Sequence, residues 1–217
     1  MKKAERVKLI IKRLEEIYPE TPIPLDHKNE FTLLVAVVLS AQSTDKKVNE
    51  LTKELFKIAP SAEKMYKLGE QKIYDYIKQL GLAKTKARNT YNLSKIIYER
   101  FNNIIPNSFQ ELETLPGVGH KTASVVMSQV FGVPAFPVDT HIHRLSQRWG
   151  LTSGKDVIQT EKDLKRLFPI NLWNKLHLQI IFYGREYCSA RGCNGTICGL
   201  CKELYPSRNK PVICLKA

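Results

Sequence analysis

Apolar side chains recur at helical spacing from the start of the chain, at Val7, Leu9, Ile10, Leu14 and Ile17, and Pro19, Pro22 and Pro24 then close the segment. Residues 31–39, Phe-Thr-Leu-Leu-Val-Ala-Val-Val-Leu, are apolar almost throughout. Their Val and Leu content would suit a buried strand, but no alternating partner strand stands nearby, so the run reads as a buried helix. Helical patterns follow at 46–57, 61–68, 70–79, 85–101, 108–115 and 121–130, most of them separated by short breaks containing Gly or Pro. Ser108 with Glu111 three residues on fits a capping box, which fixes a helix start. Beyond Val133-Pro134 a short extended link leads to helices near 140–149, 160–167 and 172–183, and the remainder reads as loop, cysteines and basic tail. With no internal repeat, low-complexity linker or strand pair, the pattern predicts an all-α protein of two helical lobes, divided near residues 132–137.

Composition adds a class of partner. Lys and Arg outnumber Asp and Glu 34 to 21, a formal net charge of +13 on an otherwise ordinary globular composition of 217 residues, long enough to bury a real core. That balance suits a polyanion, although it also serves solubility alone. No stretch approaches the roughly 20 apolar residues of a membrane span. The N-terminus runs straight into its amphipathic pattern without a signal-peptide core, so a cytoplasmic protein is expected, nucleoid-associated if bacterial. All five cysteines, Cys188, Cys193, Cys198, Cys201 and Cys214, lie near the end of the chain, which in a reducing compartment favours metal over disulfides.

Leu115-Pro116-Gly117-Val118-Gly119 lies between two helical patterns as a tight hairpin. Its glycines permit positive φ and close approach of backbone. The free amides opening the next helix would hold a phosphate oxygen, with the helix dipole favouring its charge, and so grip DNA backbone without reading sequence. An ordinary helix-helix turn has the same Pro-Gly and Gly-x-Gly pieces. The longer string, Leu-Pro-Gly-Val-Gly-His-Lys-Thr-Ala, resembles the helix-hairpin-helix motif of DNA glycosylases.

Asp139 follows Lys121 by eighteen residues, in Val138-Asp139-Thr140-His141, at the expected N-cap of a helix. Lys121 by itself reads as a surface lysine and Asp139 by itself as a cap. Together, hairpin lysine and Val-Asp-Thr-His aspartate resemble the nucleophile and carboxylate of the endonuclease III family. The resemblance implies that Lys121 attacks the sugar's anomeric carbon, displaces the damaged base and forms a Schiff base with DNA. Asp139 would stabilise positive charge on the sugar and assist proton transfer. Attack needs a neutral amine, which desolvation and nearby positive potential favour. The imine acidifies the neighbouring sugar hydrogen, so β-elimination then breaks the strand.

Work on a base in duplex DNA requires extruding it and filling the gap. Leu39-Ser40-Ala41-Gln42-Ser43-Thr44-Asp45 resembles the family's gap-filling loop, with Gln42 as the inserted amide, and Gly81-Leu82-Ala83-Lys84 matches a loop that inserts an apolar side chain, Leu82. Either could be plain connecting loop. Lys84, Lys86 and Arg88 are expected to contact phosphate, as are Leu115, Gly117, Val118 and Gly119 of the hairpin, and His141 matches a pocket-side histidine of the family.

Cys188, Cys193, Cys198 and Cys201 form C-x4-C-x4-C-x2-C, compact enough for one metal centre. The family pattern, C-x6-C-x2-C-x5-C around a [4Fe-4S] cluster, fits at Cys188 and at the Cys198/Cys201 pair. It departs in the longer gap from Cys188 to Cys198 and in Ser207, which stands where the fourth cysteine would fall. Cys193 is expected to replace that ligand rather than Cys214, which would be a spare thiol. Spacing alone leaves [4Fe-4S] and structural zinc open, and the resemblance favours the cluster.

The resemblance runs nearly end to end. It implies a six-helix lobe over 24–133, a second lobe from 1–23 and 134–217, and a DNA cleft between them. The expected protein is a monomeric bifunctional DNA glycosylase and lyase of base excision repair. Its substrate would be double-stranded DNA bearing damaged, chiefly oxidised, pyrimidines or abasic sites. A monofunctional mismatch adenine glycosylase, or a helix-hairpin-helix module that only binds DNA, are the alternatives.

Overall fold

The computed structural model describes all 217 residues. Twelve α-helices and one short 3-10 turn are joined without a strand: α1 (Lys3–Ile17), α2 (Glu30–Ser40), α3 (Asp45–Ile58), α4 (Ala62–Leu68), α5 (Glu70–Ile77), α6 (Ala83–Phe101), α7 (Phe109–Glu113), α8 (His120–Gln129), α9 (Thr140–Arg148), α10 (Val157–Leu167), the turn Ile170–Leu172, α11 (Trp173–Glu186) and α12 (Gly199–Leu204). No helix is long and apolar enough to cross a membrane. The backbone divides into two compact units, Ile23–Val133 and the combination of Met1–Pro22 with Pro134–Ala217.

In the first unit α2 is the central element. Every residue from Phe31 to Leu39 is buried, which is why the segment shows no amphipathic period. Its start is fixed by Asn29, whose side chain accepts the Thr32 amide at 2.9 Å while the Thr32 hydroxyl accepts the Asn29 amide at 3.0 Å. Leu55, Met65, Ile73, Ile77 and Leu93 close around it without solvent exposure. Each such side chain contributes about 1.5–3 kcal/mol of transfer free energy. α4 and α5 both pack on the long α6.

In the second unit the N-terminal helix returns to the C-terminal half. Ile10 and Leu14 of α1 join Phe136, Trp149 and Leu164 in one core. Glu15 pairs with Lys175 at 2.6 Å and accepts from Gln179, and Arg6 donates to the carbonyls of Trp149 and Gly150 at 3.1 and 3.0 Å.

Several boundaries differ from the sequence expectation. The helix read as 108–115 is only Phe109–Glu113, because Thr114 and Leu115 already turn back to Glu111 and Leu112. The helix read from 160 begins at Val157, capped by Asp156, whose side chain takes the Gln159 amide at 2.7 Å. α12 lies in a stretch read as loop; its six residues contribute Leu200, Cys201 and Leu204 to the core.

Candidate active site and metal centre

The hairpin is built by α7, the turn and α8. Ser108 opens α7, accepting the Glu111 amide at 3.2 Å and donating to its carboxylate at 2.8 Å. The turn closes through the Val118 amide on the Leu115 carbonyl at 3.0 Å. Gly117 sits at φ +82°, where an added Cβ would lie 2.9 Å from Asn89 Nδ2 and 3.2 Å from Val38 Cγ1, so both conformation and space demand glycine. Gly119 does not share that requirement: at φ −97° it is the extended N-cap of α8, with open space where a side chain would stand. Lacking a capping side chain, it leaves the first amides of α8 to an acceptor outside the helix. Leu115 and Val118 were expected to meet DNA, but both residues are buried in the core. His120 stacks on Phe109 and lies 2.9 Å from Glu113, tying the two helices across the turn; nothing in the motif marked it for that role.

Lys121 is exposed in the first turn of α8. Asp139 is half-buried at the N-cap of α9, where Oδ1 accepts the Ile142 amide at 2.8 Å. The cap engages Oδ1 alone, and Oδ2 takes no part in starting the helix. His141 turns toward α11: its ring packs on Gly184, where an added Cβ would meet it at 3.1 Å, and Nδ1 is 3.2 Å from an Arg144 nitrogen. Burial pushes the His141 imidazole down from its ordinary value; Arg144 and Arg185 push the same way and Asp139 opposes them. The ring packs against α11, where burial disfavours its protonated form.

The loops carrying Gln42 and Leu82 meet within the first unit. Both residues are exposed, and both hold left-handed backbone, φ +54° for Gln42 and +58° for Leu82. That conformation costs an L-residue about 1 kcal/mol and persists only where the surroundings impose it. A Cβ added at Gly81 would lie 3.5 Å from the Gln42 carbonyl, so the two backbones run side by side. Lys84 is exposed. Lys86 is not the expected phosphate contact: it is 4 % exposed and donates to Ser43 Oγ at 2.8 Å. Arg88 remains at the surface, 3.9 Å from Glu70.

Cys188, Cys193, Cys198 and Cys201 are all buried, with their sulfurs within 4.8 Å of one another. Cys214 lies outside this set, half-buried on the Arg144 carbonyl. The tail bearing it is joined to the rest of its unit: Leu215 exchanges two hydrogen bonds with the Gln147 amide side chain, and the Val212 amide reaches the Asn194 carbonyl at 2.8 Å. Hydrogen bonds from Cys188 and then Cys201 push Cys198 below the usual thiol range, while hydrogen bonds with the neighbouring sulfurs, and then burial, hold Cys188 and Cys201 above it. The buried Arg148 donates to Cys188 Sγ at 3.2 Å and to the carbonyls of Cys188, Ser189 and Ala190, and the Tyr183 hydroxyl serves Cys198. Four converging sulfurs with donors behind them fit a thiophilic metal centre.

Comparison with known proteins places this geometry. Residues 35–170 match the model of the HhH-GPD superfamily base excision DNA repair protein. Endonuclease III of Rickettsia felis is 41% identical over 208 residues, covering 94% of this chain and 97% of its own, and endonuclease III of Bacillus subtilis is 40% identical over 203 residues, covering 92% and 93%. A trapped endonuclease III–DNA covalent intermediate superposes with a TM-score of 0.86 at 37% identity, covering 92% of this chain and 94% of the other.

Proposed function

The chain belongs to the HhH-GPD superfamily of base excision DNA repair proteins, and we propose that it acts as its endonuclease III relatives do. It is a DNA glycosylase that also cleaves the strand at the abasic site. The observation that carries this reading is the exposed Lys121 at the first turn of α8, beside the uncapped amides that follow the Gly117 turn. A solved relative forms a covalent intermediate with DNA, and Lys121 is the residue we assign to that chemistry here.

The hairpin amides hold a backbone phosphate, while Gln42 and Leu82 fill the space left by the extruded base. Lys121 Nζ forms a bond to C1′ as the bond from C1′ to the base breaks, and the base leaves with a proton. Asp139 is the carboxylate we assign to stabilising the positive charge that develops on the sugar. Ring opening gives an imine between Nζ and C1′. Loss of a C2′ proton then expels the 3′ phosphate, and water releases the lysine from the cleaved end. The substrate is double-stranded DNA with oxidised pyrimidines or abasic sites, met by a monomer in the cytoplasm, at the nucleoid if the cell is bacterial.

The four cysteines hold a metal centre whose role is structural, since glycosidic cleavage needs no redox partner. Family membership favours [4Fe-4S], and structural zinc is the alternative that four thiolates also allow. Metal analysis and the brown iron-sulfur absorption of purified protein separate the two.

Borohydride trapping on duplex DNA with an oxidised pyrimidine or an abasic site tests the function. Native protein should form a covalent complex and Lys121→Gln should form none. Base release without any complex from native protein would support the monofunctional reading, and salt-sensitive binding without cleavage the binding-only one.

A further inference from the structure

Lys86 is a buried lysine that the reaction leaves without a task. It lies 4 % exposed in the first turn of α6, and its polar partner is a neutral hydroxyl, Ser43 Oγ, at 2.8 Å. Burial lowers its affinity for a proton, as expected of an amine with no carboxylate beside it. A methionine of similar reach would fill the same space at less cost, so core packing does not account for an ammonium there.

Its position does. The Lys86 amide bonds to the Leu82 carbonyl at 3.0 Å, placing Leu82 and Lys86 on one helical turn, and Ser43 is the residue after Gln42. The Lys86–Ser43 bond therefore joins the two loops just behind the two exposed side chains. On the other side, Gly81 runs against the Gln42 carbonyl. One hydrogen bond and one close backbone approach thus bracket two residues held in left-handed backbone, a conformation that must be imposed from outside.

We propose that Lys86 is a positioning residue that locks the Gln42 loop to the Leu82 loop, so that both side chains enter the DNA as one rigid wedge. The proposal rests on the reading of Gln42 and Leu82 as gap-fillers. A rigid wedge matters where a stacked, paired base must be displaced and matters little at an abasic site, which has no base to unstack.

The test is single-turnover base release from duplex DNA with a paired oxidised pyrimidine, with 2-aminopurine beside the lesion reporting unstacking. Lys86→Met and Ser43→Ala should each slow release and the fluorescence rise about tenfold, while borohydride trapping on abasic DNA changes by less than about twofold. The double variant should be no slower than either single one, the mark of a shared interaction. Lys86→Met should melt no lower than native protein, and Lys86→Arg should recover part of the rate. Native-rate release by Lys86→Met, additive effects of the two substitutions, or equal losses on both substrates with a lowered melting temperature would overturn the proposal. Gln42→Ala and Leu82→Ala run in parallel. If both release the base at the native rate, the wedge reading falls and takes the proposal with it; if they are slow while Lys86→Met is not, the proposal alone falls.

Discussion

The Ile142 amide donates to Asp139 Oδ1 at 2.8 Å, so the carboxylate assigned to catalysis also begins α9. Asn caps a helix about as well as Asp. Asp139→Asn should therefore keep its melting temperature and DNA affinity, while base release falls about a hundredfold or more. Asp139→Ala should in addition lose about 1 kcal/mol of stability. Urea unfolding beside single-turnover kinetics separates the two roles, and an Asn variant that unfolds would reduce Asp139 to a cap.

The two hairpin glycines should respond differently. Gly117→Ala forces an L-residue to φ +82° with its Cβ against Asn89 and Val38, and should cost about 2 kcal/mol and weaken DNA binding. Gly119→Ala meets open space at φ −97° and should change stability by less than about 1 kcal/mol. Equal effects would mean that the turn does not constrain the backbone as described.

These two glycines also mark what the chain makes legible in advance. The helix-hairpin-helix string, the buried run that becomes α2 and the capping role of Asp139 all express short-range rules, in which neighbours in sequence are neighbours in space. Backbone sign is different: nothing in the residue types of Gln42 or Leu82 signals positive φ, because packing of one loop on the other imposes it. The burial of Lys86 depends on Ser43, forty-three residues away, and a lysine beside two other cations reads naturally as a phosphate contact. α12 is not legible in the sequence, because six residues opened by a glycine give too short a period to stand out from loop.

The cysteines should divide four to one. Cys193→Ser should lose bound metal along with any iron-sulfur absorption, whereas Cys214→Ser should keep both, since only Cys193 stands with Cys188, Cys198 and Cys201. Metal per polypeptide, measured by elemental analysis after gel filtration, decides this; the reverse pattern would move the fourth ligand to the tail.

His141 should make stability pH-dependent. Burial holds its folded pKa below the unfolded 6.5, so its contribution is present above pH 6.5 and is lost as pH falls through the folded value. His141→Asn should flatten the fall in melting temperature between about pH 7 and pH 5. An unchanged profile would mean that the ring is solvated in both states.

The four converging cysteines all come from the short stretch between Cys188 and Cys201. Linking residues so close along the chain removes little freedom from the unfolded polymer, since the entropy of closing a loop grows with the loop's length. The Gln147 and Leu215 contacts, rather than a metal-bound cysteine, fasten the tail. A metal held there would therefore close only short loops, while the distant tail is tied to α9 by contacts that need no metal.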